Sequence, residues 1–282
     1  MSEYLLIENL ILIILSVFIG GIVKGSVGIG MSMFSVPIIA FILPPTKAMM
    51  LLCFPVIFTN FLQMDVKKGI GSFRFLPMFL ALFLGLLIGG KLILSLSLNF
   101  ISISIATVII IFTSLNFFGI NLKNLKKANE KILSVIIGFF SGILGGLTTF
   151  YAPPIITFLI SINLDKEFFI RTTATMYFFA SIPLYSSMVY HGLGDYYDLT
   201  MSLILVIPAI VGQFFGSKFR KKMSNEIFQK LVLIILISLL IFNFIGMYFG
   251  NMLFDIGNIK NINLTEKLNN EKFIDLLKSI QI

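Results

Sequence analysis

The chain has 282 residues, of which 57% are hydrophobic and only 12% charged, whereas a soluble domain carries about a quarter charged residues; a soluble globular protein is excluded. The net charge of +8 would suggest a nucleic-acid partner in a soluble chain, but here it sits in short loops between apolar blocks, where basic residues orient a membrane protein. The single cysteine, Cys53, cannot form an internal disulfide, and no Cys/His cluster has metal spacing, so neither a metal, another cofactor nor nucleic acid is expected.

Apolar blocks follow one another at roughly the 20-residue length that crosses a hydrocarbon layer of about 30 Å. In chain order they cover 5–23, 26–43, 46–64, 75–94, 99–119, 132–148, 151–163, 168–190, 199–217 and 231–249. The N-terminal MSEYLLIENL has no basic region and no small-residue cleavage site, so the first block is expected to be a retained helix. The block at 151–163 is too short to span comfortably and reads as a half-helix, which makes eight spans plus broken elements as admissible as ten. The expected fold is therefore all-α and polytopic, with about 8–10 membrane helices. After residue 250, Asn251–Ile282 mixes Lys with Asp and Glu; it is either a short amphipathic helix on the membrane surface or a poorly ordered terminus.

The loops sort by charge. DVKKGIGSFR, NLKNLKKANEK and SKFRKKMSNEIFQK hold Lys67, Lys68, Arg74, Lys123, Lys126, Lys127, Lys131, Lys218, Arg220, Lys221, Lys222 and Lys230. The alternating loops LPPTK, LSLSLN and HGLGDYYD carry only Lys47 against Asp195 and Asp198, with Lys91 at an edge. The positive-inside rule then places the first set in the cytoplasm and both termini outside the cell's inner membrane.

A shift of 117 positions lays GIVKGSVGIGMSMFSVP over GFFSGILGGLTTFYAPP, matching Gly21, Gly25, Gly28 and Pro37 to Gly138, Gly142, Gly145 and Pro154. At a slightly different offset GLLIGGK matches GQFFGSK, pairing Gly85, Gly89 and Lys91 with Gly212, Gly216 and Lys218. Each half thus opens with a glycine-broken hairpin ending near a proline and later carries a small-xxx-small helix. The charge assignment starts the halves on opposite sides of the membrane, which makes them inverted repeats of the kind built into secondary transporters. The expected organisation is a first repeat over 1–120, a second over 121–250, and an extracytoplasmic tail over 251–282.

The duplicated G-x-x-x-G-x-x-G…P hairpin and the G-x-x-x-G helix after it resemble the sulfite exporter TauE/SafE family, also called the 4-toluene sulfonate uptake permeases. The resemblance covers nearly the whole chain apart from the tail. It implies an inner-membrane permease for sulfite, organosulfonates or related small anions. Family members commonly have a longer glycine run where this chain has GIGMSM, a departure that leaves the substrate open among sulfite, organosulfonates and short carboxylates.

Unwound backbone inside a bilayer costs several kcal/mol per unpaired group unless it faces protein or a wet cavity, so paired glycine breaks point to a cavity between the halves. Helix N-termini there would offer N–H donors and partial positive charge to an anion. The substrate-binding candidates are Lys24, Gly25, Ser26, Gly28 and Gly30 from the first hairpin, and Gly142, Gly145, Gly146, Thr148, Thr149 and Tyr151 from the second. Arg171 joins them because a guanidinium suits a bidentate sulfonate or carboxylate. Two placements of Lys24 fit the sequence: facing the cavity, or snorkelling to headgroups past a helix ending near Gly21. Asn60 and Gln213 either line the path or join helices. The expected function is alternating-access transport of a small anion coupled to a proton or sodium gradient, with a passive channel, a membrane scaffold or a membrane enzyme as alternatives. A homo-oligomer is compatible with the sequence.

Three signals are set aside. Gly85–Lys91 reads as a phosphate-loop pattern, but Leu92 replaces its Ser/Thr and no strand precedes it. GSVGIG lacks the strand–helix context of a dinucleotide fingerprint. His191, the sole histidine, reads as an exposed helix-end residue, and no nucleophile–base–acid set can be assembled, so no enzyme is expected.

Overall fold

The computed structural model describes residues 7–64, 73–92, 127–148, 151–235 and 237–238, all within one unit spanning Met1–Ile241. Its helices are α1 (Ile7–Val27), α2 (Met31–Ile39), α3 (Pro45–Leu51), α4 (Cys53–Met64), α5 (Leu76–Leu92), α6 (Lys127–Thr148), α7 (Ala152–Ser161), α8 (Lys166–Tyr190), α9 (Tyr196–Ile204) and α10 (Val206–Lys221). Among the described residues no strand occurs, and the protein is an all-α, polytopic membrane protein. Among the described residues, four stretches are long and apolar enough to cross a bilayer: Asn9–Val27, Thr46–Met64, Asn129–Leu147 and Tyr196–Lys221. The expected helix at 99–119, the junction of the halves at 120–121 and the tail at 251–282 lie outside the described residues, as does most of the block at 231–249.

Burial is distributed as a bilayer demands. Large apolar side chains such as Ile11, Leu15, Phe140, Ile207 and Phe214 face outward, while Lys24, Ser35, Thr59, Asn60, Gln213 and Arg220 are buried. Lipid is as apolar as leucine, so helix association here depends on close packing and internal hydrogen bonds, not on exclusion of water.

Two crossings carry that packing. At α1 against α10, a Cβ on Gly21 would run into the Ala209 carbonyl oxygen, and one on Gly25 into that of Gln213. From the other side, Gly212 meets the Phe18 oxygen and Gly216 the Ile22 oxygen. At α5 against α6 the same relation recurs: Gly85 on Phe139, Gly89 on Ile143, Gly138 on Met78 and Gly142 on Leu82. α1 therefore rests on α10, and α6 on α5, backbone against backbone.

The breaks differ from the expected hairpins. α1 does not end near Gly21; it continues to Val27, and Lys24 sits in its last turn. The chain then turns through Gly28 at φ 85° and Gly30 at φ 96°, backbone open to glycine at little cost. In the second half Gly138, Gly142, Gly145 and Gly146 all remain helical inside α6. α7 is the expected short helix, with Pro153 and Pro154 in its first turn, where a missing N–H costs no helical bond. The blocks at 46–64 and 199–217 each divide into two helices, at Leu52 and Leu205.

Polar contacts fasten the ends. Arg74 donates to both oxygens of Glu130, from Nε at 2.6 Å and from Nη2 at 2.7 Å, joining two of the basic loops. Lys47 lies 3.8 Å from Asp195, joining two of the alternating loops. His191 is the exposed C-cap of α8.

The crossings make a sharp contrast among glycines. Gly142→Ala forces a Cβ into the Leu82 backbone and should cost about 1–3 kcal/mol. Gly90→Ala meets only the Ser187 hydroxyl at 4.0 Å and should stay within about 0.5 kcal/mol of the parent. Thermal unfolding of the purified protein, followed by size-exclusion monodispersity, checks both.

Candidate functional site

One cavity lies at the first glycine break, and a larger one lies between α4, α8 and α10. The smaller, about 50 Å³, is lined by Lys24, Gly30, Ser32, Asn60, Tyr151 and Tyr177, among others. The N-terminus of α2 and the residue preceding α7 both reach it, and neither helix has a side-chain cap. Two positive helix ends therefore converge on one small space.

Lys24 is only 3% exposed, so its amine does not reach the headgroups. Nζ donates to Asn60 Oδ1 at 2.6 Å and, more weakly, to the Gly28 carbonyl at 3.4 Å. Among the described residues no carboxylate stands within ion-pair range of it. Tyr177 packs edge-on to Tyr151 with ring centroids 5.1 Å apart. Its buried hydroxyl has no hydrogen-bond partner among the described residues.

The larger cavity, about 430 Å³, is lined by Gln63, Glu167, Arg171, Gln213, Arg220 and Lys221, among others. Gln63 links the two spaces, because its Nε2 donates to the Lys24 carbonyl at 3.1 Å. Gln213 Nε2 donates to the Thr59 carbonyl at 2.9 Å. Arg220 Nη1 donates to the Gly25 carbonyl at 2.6 Å, which occupies an acceptor at the end of α1. Ser26 returns its hydroxyl to the Ile22 carbonyl at 2.9 Å.

The structure thus brings Lys24, Gly30 and Tyr151 to one cavity and Arg171 to the other. Gly25, Gly142 and Gly146 sit at helix crossings, Gly145 lies under the Tyr151 ring, and Gly28 packs on Ile170. Thr148 ends α6, and Thr149 lies outside the described residues. Asn60 both lines the cavity and joins helices, as does Gln213. Tyr177 and Glu167 carry no signal in the apolar pattern that marks them for the site, Gln63 is marked only by its spacing from Thr59 and Asn60, and Arg220, a loop cation by sequence, is buried. Thr59, Asn60 and Gln63 recur at helical spacing in the apolar α4, and Arg220 falls four residues after Gly216; both patterns mark one inward face.

Among the described residues no three metal-ligating side chains come together. A comparison with protein families matches residues 13–255 to the model of the sulfite exporter TauE/SafE family. The chain belongs to the TauE/SafE family. It is accordingly a multi-pass membrane protein of a transporter family for sulfur anions. No curated protein and no solved structure matches it.

Asn60 holds the amine, so its loss leaves a buried cation short of an acceptor. Asn60→Leu should destabilise the protein by about 1–3 kcal/mol. The double variant Lys24→Met/Asn60→Leu should lose less than the sum of the singles, with a coupling of about 0.5–3 kcal/mol. Denaturation midpoints of the four proteins check the cycle.

Proposed function

We propose that the chain is a secondary transporter that binds a small sulfur oxyanion in the Lys24 cavity and exposes it alternately to the two sides of the membrane. The carrying observation is the buried Lys24 amine, held by an amide oxygen and a carbonyl, with no described carboxylate in ion-pair range. A cation at membrane depth is expensive unless paired, and an anion is the missing partner. The α2 and α7 N-termini add electrostatic support, and Tyr177 supplies an unmade hydroxyl donor. Gly30 allows the backbone to approach closely, while Ser32 and Asn60 set the polar rim.

The reciprocal glycine crossings support reading the halves as inverted repeats, with the leading helix of each seated on the later glycine helix of the other. Rocking of one half against the other would then exchange access around a fixed site. The basic loops favour an inner membrane with the Lys221–Lys222 end in the cytoplasm and both termini outside. Coupling is to a proton or sodium gradient. No enzymatic step belongs to this reading, and Ser26, Gly28 and Gly145 serve as backbone and neighbours of the site.

Lys24→Met should abolish sulfite flux into proteoliposomes while membrane insertion and monodispersity are retained. Flux equal to the parent's would remove Lys24 from the site. Rates above about 10³ s⁻¹, beyond ordinary catalytic turnover, would favour a passive channel over alternating access.

A further inference from the structure

The larger cavity holds an imbalance of charge that its own side chains leave unmet. Three cations, Arg171, Arg220 and Lys221, line it against one carboxylate, Glu167. Arg220 is 6% exposed. Its Nε lies 3.5 Å from Glu167 Oε1, yet makes no hydrogen bond to any described group. Glu167 itself is 47% exposed, so it is a partner that can swing into water. Arg171 stands one turn on from Glu167 along the same helix, donates Nε to the Glu167 backbone carbonyl at 3.3 Å, and lines the same cavity. A buried guanidinium with an unmade donor carries a desolvation penalty that a well-placed acceptor relieves.

We propose that this cavity is a second oxyanion site, in series with the Lys24 cavity, in which Glu167 stands in for the anion when none is bound. An arriving oxyanion takes over the Arg220 Nε donor, and Glu167 turns to solvent. Gln63 Oε1 and Gln213 Oε1 are also buried without a partner among the described residues. Acceptors beside donors suit an anion that offers a hydrogen of its own. The ligand class is therefore a singly protonated sulfur oxyanion, or one that keeps a water. At about 430 Å³ the cavity admits that hydrated form, whereas about 50 Å³ around Lys24 admits only the stripped ion. Gln63, which lines the larger space and holds the Lys24 carbonyl, is the contact through which the two stations meet. The inference extends the reading of Lys24 but stands without it.

The test is calorimetric titration of the purified full-length chain with sulfite. Wild type should show two binding events, and Lys24→Met should keep one. In the Lys24→Met background, Glu167→Gln should tighten the remaining event roughly three- to tenfold by removing the internal competitor, and Arg171→Gln should weaken it by about tenfold. These variants leave the Arg220–Gly25 contact intact, so folding is not the variable. Loss of all binding in Lys24→Met, or a retained event indifferent to both residues, overturns the second site. Two events surviving in Lys24→Met would keep this site and defeat the role of Lys24 instead. A lipid phosphate presents similar oxygens, so the titration is repeated in phosphatidylcholine and in phosphatidylglycerol nanodiscs. Equal affinity in both assigns the site to the soluble anion; loss of sulfite binding in phosphatidylglycerol alone overturns that assignment.

Discussion

A lysine amine inside an apolar bundle costs about 2.5–3.5 kcal/mol to insert. Among the described residues Lys24 receives in return one amide oxygen and one distant carbonyl. Much of the surrounding geometry follows from keeping that amine in place. α1 must stay helical to Val27 to present it, α4 must turn Asn60 toward it, and Gln63 must hold its carbonyl from the next turn. A cation kept at this expense is informative about ligand chemistry, because a purely structural role could be filled by methionine at lower cost.

The polar layer around Lys24 exists because the helices beside it touch without side chains. Gly21 and Gly25 against Gly212 and Gly216 let α1 and α10 approach until backbone meets backbone. At that separation Arg220 reaches the Gly25 carbonyl and Gln213 reaches that of Thr59. Close packing of glycines is a way to gain dispersion contact in a solvent that supplies no hydrophobic drive. In this chain it also sets the distance across which the buried amides and guanidinium find their acceptors. The two interactions depend on each other: a wider crossing would strand the polar groups, and apolar substitutes for them would remove the cross-helix hydrogen bonds.

The fold was largely legible from residue order. Apolar block length forecast α1, α5, α6 and α8, and the short α7 was forecast by its thirteen-residue block at 151–163. Arg74 pairs with Glu130 and Lys47 with Asp195, each pair within one of the two loop sets that charge separates. The splits at Leu52 and Leu205 were not foreseen, although each falls three residues before a proline, Pro55 or Pro208, that cannot donate to the helical ladder. The glycines of the second hairpin misled for a related reason. Glycine permits unwinding but does not require it, and at Gly142 and Gly146 the neighbouring helix uses the missing Cβ for contact while α6 stays regular. For the candidate site, Lys24 and Tyr151 were legible as unusual residues in apolar surroundings, whereas Gln63, Tyr177 and the inward turn of Arg220 were not.

By itself the sequence determined the solvent, the all-α class of fold and the presence of a basic residue beside a glycine break, because each of these depends on composition and local spacing. Tertiary structure alone decided that Lys24 turns inward to Asn60, that Arg171 and Arg220 belong to a different cavity, and that most of the glycines serve contact. Those outcomes depend on which helices meet and how closely, and partners from 36 to 195 residues apart leave no mark on local pattern.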